Sequence, residues 1–295
     1  MQKKNTIYAL GFFDGVHLGH QALLKACRKL ADTHGCQAGV VTFTTHPDGL
    51  VSGKAPVLLN TIEDRVNTLA SYGMDVVATL PFDEELMQTH WSDFLTKLTD
   101  DGAAGFVCGS DFRFGSRGEG TAEKLAAFCE SRNMPYCIVP QQILDGVRVS
   151  SSLIRELLGS GQLETANHFL GHPHFLTGKV ITGRGLGRTI GVPTANLEIP
   201  EGILLPNNGV YACAACFGQE VYPAVTNIGT RPTVNGEHVT VEAWLLDFEG
   251  DLYGQELTLA FCRYLRPEKK FNSLEELKAE IEKNAAETRK IFENQ

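Results

Sequence analysis

No stretch of this 295-residue chain approaches the ~20 apolar residues of a membrane-spanning helix. Its first residues, Met1-Gln-Lys-Lys-Asn5, lead straight into a strand pattern, with no apolar core or cleavage site of a secretory leader. Neither a membrane protein nor an exported one is expected, and the cytoplasm is the default. Excess positive charge is also missing. The formal net charge is −9 at pH 7, which argues against a general nucleic-acid binder, because such proteins need a basic surface. The common phosphate cradles are absent. No Gly-x-x-x-x-Gly-Lys-Ser/Thr occurs, and the nearest approach to Gly-x-Gly-x-x-Gly, at Gly183, Gly185 and Gly187, has Arg188 where the last glycine belongs. The eight cysteines are scattered among apolar neighbours, as buried free thiols are. One Cys-x-x-Cys, at Cys213 and Cys216, lies in a strand pattern that sends residues three apart to opposite faces, which disfavours a zinc or redox site. Internal repeats and low-complexity tracts are lacking too.

What is present is a chain of ordinary globular composition, 43% hydrophobic and 21% charged, long enough for two domains. Up to about Leu158 short apolar runs alternate with helical spacing. Strands are predicted at Ile7–Phe12, Ala38–Phe43, Val76–Leu80, Phe106–Gly109 and Tyr136–Val139, with helices over Ile62–Tyr72, Trp91–Leu98 and Ala122–Asn133. This alternation implies an α/β, Rossmann-like domain, a parallel sheet covered by helices. Beyond Gly159-Ser-Gly161 and Gly171-His-Pro173 come strands without helices: Phe175–Thr182, Val210–Phe217, Tyr222–Ile228, Val239–Phe248 and Leu257–Leu265. They imply an antiparallel β-barrel or sandwich. Ser273-Leu-Glu-Glu276 is a capping box that opens a C-terminal helix. The expected domains are residues 1–165 and 172–295.

Gly11-Phe-Phe-Asp-Gly-Val-His-Leu-Gly-His20 is the most informative segment. It follows the first strand and opens a helix, so His17 and His20 share one face of the first turn beside the free N–H groups of the helix start. Two imidazoles at a helix N-terminus make a phosphate site, and a His-x-Gly-His after the first strand is how one superfamily of nucleotidyltransferases grips ATP. Ser150, Ser151 and Ser152 open a further helix that carries Arg155. Serines there cap a helix, and a capped helix start with an added cation is also an anion site. The loops at Thr42–Pro47, with His46, and at Gly109–Gly115, with Asp111 and Arg113, stand at strand ends, where a flat heterocycle and its phosphate could be held; otherwise His46 is an ordinary loop residue and Asp111 an ordinary turn residue. In the second half, Thr194 and Asn196 of Gly191-Val-Pro-Thr-Ala-Asn196 point to one face of an extended stretch and offer two oxygens to Mg²⁺. Lys179 and Gly183–Arg188 would supply cations and flexible backbone around ATP. Glu242 is an acid inside a strand, which faces either solvent or a site. Arg266, after the last strand, either contacts ligands or braces its loop.

In order and approximate spacing, Gly11–His20, His46-Pro47, Gly109–Gly115 and Ser150–Arg155 resemble the FMN adenylyltransferase module of bacterial FAD synthetases. Gly178–Asn196, Gly209–Tyr211, Asn227–Val234, Glu242–Gly254 and Leu265–Phe271 resemble the riboflavin kinase module of the same proteins. The resemblance runs nearly end to end. It implies a bifunctional enzyme that phosphorylates riboflavin with ATP to FMN, then adenylylates FMN with a second ATP to FAD and pyrophosphate, with Mg²⁺ as cofactor. It further implies ATP and phosphate binding by Gly11, Phe13, Gly15, Ser150, Ser151, Ser152, Lys179, Gly185, Thr194 and Asn196. Flavin binding is implied for His46, Asp111, Arg113 and Arg266, and catalytic roles for His17, His20, Arg155 and Glu242, the last as general base. The expected partners are the small molecules riboflavin, FMN and ATP, with no nucleic acid or membrane, and the chain is expected to be a monomer or transient oligomer. Relatives often carry Glu-Pro where this chain has Thr44-Thr45, threonine at Ser152, arginine at His172 and aspartate at Asn284. An adenylyltransferase for another phosphate would not need the second, ATP-binding barrel. A flavin carrier without catalysis would not need the histidines, Thr194, Asn196 and Glu242.

Overall fold

The computed structural model describes residues 5–183, 187, 191–233 and 236–293, of which 231–233 and 236–238 by backbone alone. Contacts divide the chain into two compact units, Met1–Leu58 with Ile62–Ser151, and Ser152–Gln295 with Leu59–Thr61.

The first unit is built on five parallel strands, β1 (Thr6–Leu10), β2 (Gln37–Phe43), β3 (Val76–Leu80), β4 (Ala103–Gly109) and β5 (Tyr136–Val139), in the order β3-β2-β1-β4-β5. Strand periodicity splits β1 between two cores. Ile7 and Ala9 pack with Leu23, Leu24 and Cys27 of helix α1 (Leu18–His34). Tyr8 and Leu10 face the other way, toward Phe106, Cys108 and the helices that cover that side. Helices on both faces are what a parallel sheet requires. The covering helices are α2 (Asp48–Val51), α3 (Ile62–Ser71), α4 (Glu84–Gln88), α5 (Trp91–Asp100) and α6 (Ala122–Ser131). A short hairpin, β6 (Ile143–Leu144) and β7 (Val147–Arg148), precedes α7 (Ser151–Gly159).

In the second unit a closed antiparallel barrel runs β10-β11-β12-β9-β8-β13. Its strands are β8 (His174–Ile181), β9 (Ala195–Glu198), β10 (Gly209–Phe217), β11 (Glu220–Thr233), β12 (Gly236–Leu245) and β13 (Glu256–Arg266). Helix α8 (Leu163–Leu170) is tied to the barrel through two side chains, Asn167 and Glu164, the latter accepting from the Tyr264 N–H (3.0 Å). The Asn167 amide donates to the Phe261 carbonyl (2.8 Å) and accepts from the His174 N–H (2.7 Å). Helix α9 (Leu274–Glu293) packs on β10 and β11. Its capping box forms: the Glu276 N–H donates to Ser273 Oγ (3.2 Å), and its carboxylate accepts from Asn272 N–H (3.0 Å). The expected strand to Phe248 stops at Leu245, because Asp247 turns the chain with φ 63°. All eight cysteines are free thiols. Burial pushes Cys27 up to about 11 and Cys108 up to about 12, as inert core groups.

Candidate active sites

In the order β3-β2-β1-β4-β5 the winding reverses between β1 and β4, and ligands of open α/β sheets sit beyond the strand ends at that point. The segments that leave those two strands are Gly11–His20 and Gly109–Gly115. After β1 the chain turns through left-handed conformations at Phe13 (φ 62°), Gly15 (φ 75°) and Val16 (φ 39°), and the Phe13 ring is fully buried. His17 then caps α1, its Nδ1 accepting from the His20 N–H (3.3 Å). The two imidazoles stack with centroids 3.7 Å apart and planes 14° from parallel. Gly19 is needed between them, since a Cβ there would sit 3.0 Å from the His17 ring. Burial, then His17, then Arg65 hold the His20 pKa well below the usual histidine range. Its Nδ1 is buried without a hydrogen-bond partner among the described residues. The lowered pKa favours the neutral imidazole of His20 over the cation.

These histidines and Gly11 line one wall of a cavity whose other walls carry Asp111, Arg113, Arg148 and Ser150. The Arg148 guanidinium pairs with the Asp111 carboxylate across it. Ser151 starts α7 and donates to the Asp14 carbonyl (3.0 Å), which ties that helix start to the turn before His17. Ser152 and Arg155 follow on α7 and group with the second unit.

A second cavity of about 460 Å³, a size suited to a small molecule, adjoins the first. Its walls are mostly aromatic, from Phe43, Phe82, Phe94 and Phe114, with Arg113 and Arg117 at hand. His46 also lines it, edge-on to Phe12 at 4.5 Å, with its Nδ1 accepting from the Asp48 N–H (3.2 Å). Phe12, Phe112 and Arg113 line both cavities. Thr44 and Thr45 hold this loop to the end of β3: the Thr44 N–H donates to Leu80 O (3.0 Å), and Thr45 Oγ1 to Phe82 O (3.3 Å).

Sequence reasoning missed Arg65. It is fully buried on α3, and its Nη1 donates to Phe12 O (2.8 Å), Phe43 O (3.1 Å) and Thr42 Oγ1 (3.2 Å). Its guanidinium lies 4.0 Å from the centre of the Phe12 ring. The signal available in the sequence was a cation four residues before Leu69 on the apolar stripe of an amphipathic helix. The aromatic cavity was also missed, because Phe43, Phe82, Phe94 and Phe114 are far apart in the chain.

In the barrel, Asn196 and Glu242 are direct partners across β9 and β12, and Glu242 is opposite Asn227 across β12 and β11. Side chains of opposed residues share a face, so the three polar groups form one row. Glu242, Asn227, Thr194 and Arg266 line a cavity closed by Leu277, Ile281 and Asn284 of α9. Of the two roles expected of Arg266, the structure shows the bracing one. The side chain lines the cavity and is braced by α9, with Nε donating to Asn284 Oδ1 (3.1 Å) and 3.6 Å from Glu280. A neighbouring cavity is lined by Pro193, Thr194, Ala195, Phe248 and Tyr253. The extended segment 192–195 is therefore a partition, with Val192 on one side, Pro193 and Ala195 on the other, and Thr194 on both. Gly183 packs against the Asn196 side-chain amide, which a Cβ there would displace. Lys179 is exposed on β8 and is not among the residues lining either cavity. Gly185 lies outside the described residues.

The riboflavin kinase family matches residues 170–292, and the FAD synthetase family matches residues 1–153. A protein of Listeria monocytogenes named bifunctional riboflavin kinase/FMN adenylyltransferase is 37% identical, covering 98% of this chain and 93% of that protein. Proteins of the same name from Bacillus subtilis (34%; 99% and 94%) and Escherichia coli strain K12 (35%; 98% and 94%) are similar over the same extent. A crystal structure titled macrolide-efflux protein from Streptococcus pneumoniae superposes with a TM-score of 0.87 at 28% identity, over 97% of this chain and 94% of that one. Among the described residues no helix is long and apolar enough to cross a membrane.

Proposed function

The chain belongs to the bifunctional riboflavin kinase/FMN adenylyltransferase family and makes FAD from riboflavin through FMN; from that premise we propose which residues carry each step. The adenylyltransferase domain spans residues 1–165 and the kinase domain 172–295. In the first, the ATP phosphates occupy the cavity of His17, His20, Gly11 and Ser150, at the starts of α1 and α7. The isoalloxazine ring of FMN occupies the aromatic cavity beside His46. The observation that carries this reading is the shared wall of Phe12, Phe112 and Arg113, which brings two ligands of different polarity to one seam. Arg113 and Asp111 lie where the FMN phosphate would meet the α-phosphorus. That phosphate is already anionic at neutral pH, so it attacks without a protein base and pyrophosphate leaves. His17, His20, Ser150 and Ser151 stabilise charge on the transferred and leaving phosphates.

In the barrel, Glu242 orients and deprotonates the terminal ribityl hydroxyl of riboflavin, which attacks the γ-phosphorus of ATP. Riboflavin lies in the cavity under α9, with Arg266 at its edge, and ATP lies across the partition, on the side of Phe248 and Tyr253. No group of three or more His, Cys, Asp or Glu side chains suited to a metal occurs among the described residues. The hydroxyl of Thr194 and the amide oxygen of Asn196 are hard neutral donors. They suit Mg²⁺, which takes few protein ligands and completes its shell with phosphates and water. Bound there, Mg²⁺ would neutralise charge on the ATP phosphates.

The test is a time course with riboflavin, Mg²⁺ and ATP, read by chromatographic separation of the flavins. His17→Ala with His20→Ala should stop the flavins at FMN. Glu242→Ala should leave riboflavin unused but still convert supplied FMN to FAD. Loss of both reactions in both folded variants would refute the assignment of separate sites.

A further inference from the structure

A buried arginine with no carboxylate in its hydrogen bonds is an expensive side chain, because a cation loses its hydration on burial. Arg65 is fully buried, and its Nε and Nη2 have no hydrogen-bond partner among the described residues. Burial pulls its pKa down to about 10, with Asp14 and Glu63 supporting the charge. Its one donating nitrogen joins the end of β2 to the loop after β1, through the carbonyls of Phe43 and Phe12. The Thr42 hydroxyl also donates to Phe12 O (2.8 Å), so that carbonyl is gripped twice. With the guanidinium over its ring, Phe12 is held at both backbone and side chain, and its ring edge then sets His46.

We propose that Arg65 is a positioning residue for adenylyl transfer: it fixes Phe12, the wall common to the phosphate and aromatic cavities, and thereby sets the separation of the two substrates. It lines neither cavity. The inference rests on the assignment of adenylylation to the His17–His20 cavity. The charge has a second effect, since Arg65 is one of the groups that keep His20 neutral. The other charged or titratable groups facing His20 are His17 on the same helix and Asp111, Arg113 and Arg148 across the cavity.

The experiment uses the full chain with Arg65→Met, Arg65→Lys and His20→Ala, measuring FMN-to-FAD conversion with KM and kcat separated, across pH 5.5–8.5 on the order-of-magnitude range where imidazoles titrate. Riboflavin phosphorylation and thermal unfolding are followed on the same samples. Arg65→Met should lower kcat for adenylylation roughly 10- to 100-fold, the scale of sub-ångström to 1 Å misplacement, and shift the acid limb of the profile upward. Arg65→Lys keeps the charge but not the fork. It should restore the wild-type pH profile while kcat stays low. Phosphorylation of riboflavin should be unchanged in both. If His20→Ala keeps full adenylylation, the site assignment falls. If His20→Ala loses it while Arg65→Met matches wild type in kcat and pH profile, the inference alone falls. If Arg65→Met fails to fold, Arg65→Lys decides: wild-type kcat there overturns the positioning role.

Discussion

Among single side chains, burial acts on His174 as it does on His20. His174 on β8 is buried against Phe261, and its Nε2 has no hydrogen-bond partner among the described residues. Burial pulls its pKa down to about 4, with partial compensation from a backbone hydrogen bond at Leu204. In the unfolded chain the group has its ordinary value of about 6.5, so the unfolded state takes up the proton first as pH falls. Stability from this residue is intact above pH ~6.5 and is lost progressively toward pH 4, by at most ~1.4 kcal/mol per pH unit. The urea midpoint of the full protein should therefore fall between pH 7 and pH 5, and His174→Leu should flatten that dependence; an unchanged slope would count against it. Gly19 makes a second prediction at this scale. Gly19→Ala puts a methyl 3.0 Å from the His17 ring, so adenylylation should drop roughly tenfold or more while riboflavin phosphorylation persists.

For whole elements, Asn167 shows how one side chain can join a helix to two strands. Its single amide bonds both β13 and the start of β8. Asn167→Ala leaves the Phe261 carbonyl and the His174 N–H without that partner, and should destabilise the protein by ~1–3 kcal/mol in urea unfolding. The elements were mostly legible in the sequence, because apolar periodicity is a local signal. Val76–Leu80 and Tyr136–Val139 match their expected strands end to end. β9 was not marked as a strand because Ala195–Glu198 holds Asn, Glu and Ala, residue types depleted in strands, where the equally short β5 holds Tyr, Ile and Val. The hairpin at β6 and β7 was missed because two residues in each strand are too few for alternation to show. Of the site, Gly11–His20 was readable because its residues are neighbours in the chain. Arg65 and the ring of phenylalanines were not, since tertiary winding alone assembles them.

On the scale of the whole molecule, the two reactions should be separable in solution. Glu242→Ala and the His17→Ala, His20→Ala double variant should each retain one step. An equimolar mixture of the two should form FAD from riboflavin, with FMN detectable as the diffusing intermediate. Absence of FAD from that mixture, with each variant keeping its own step, would contradict the prediction. Within the barrel, the partition at 192–195 has a thermodynamic consequence. Because Thr194 lines both cavities, the ligands that fill them share a wall residue. Whatever factor the first ligand imposes on the affinity of the second, the second must impose on the first. The dissociation constants for nucleotide and vitamin should thus move together, whichever is titrated first.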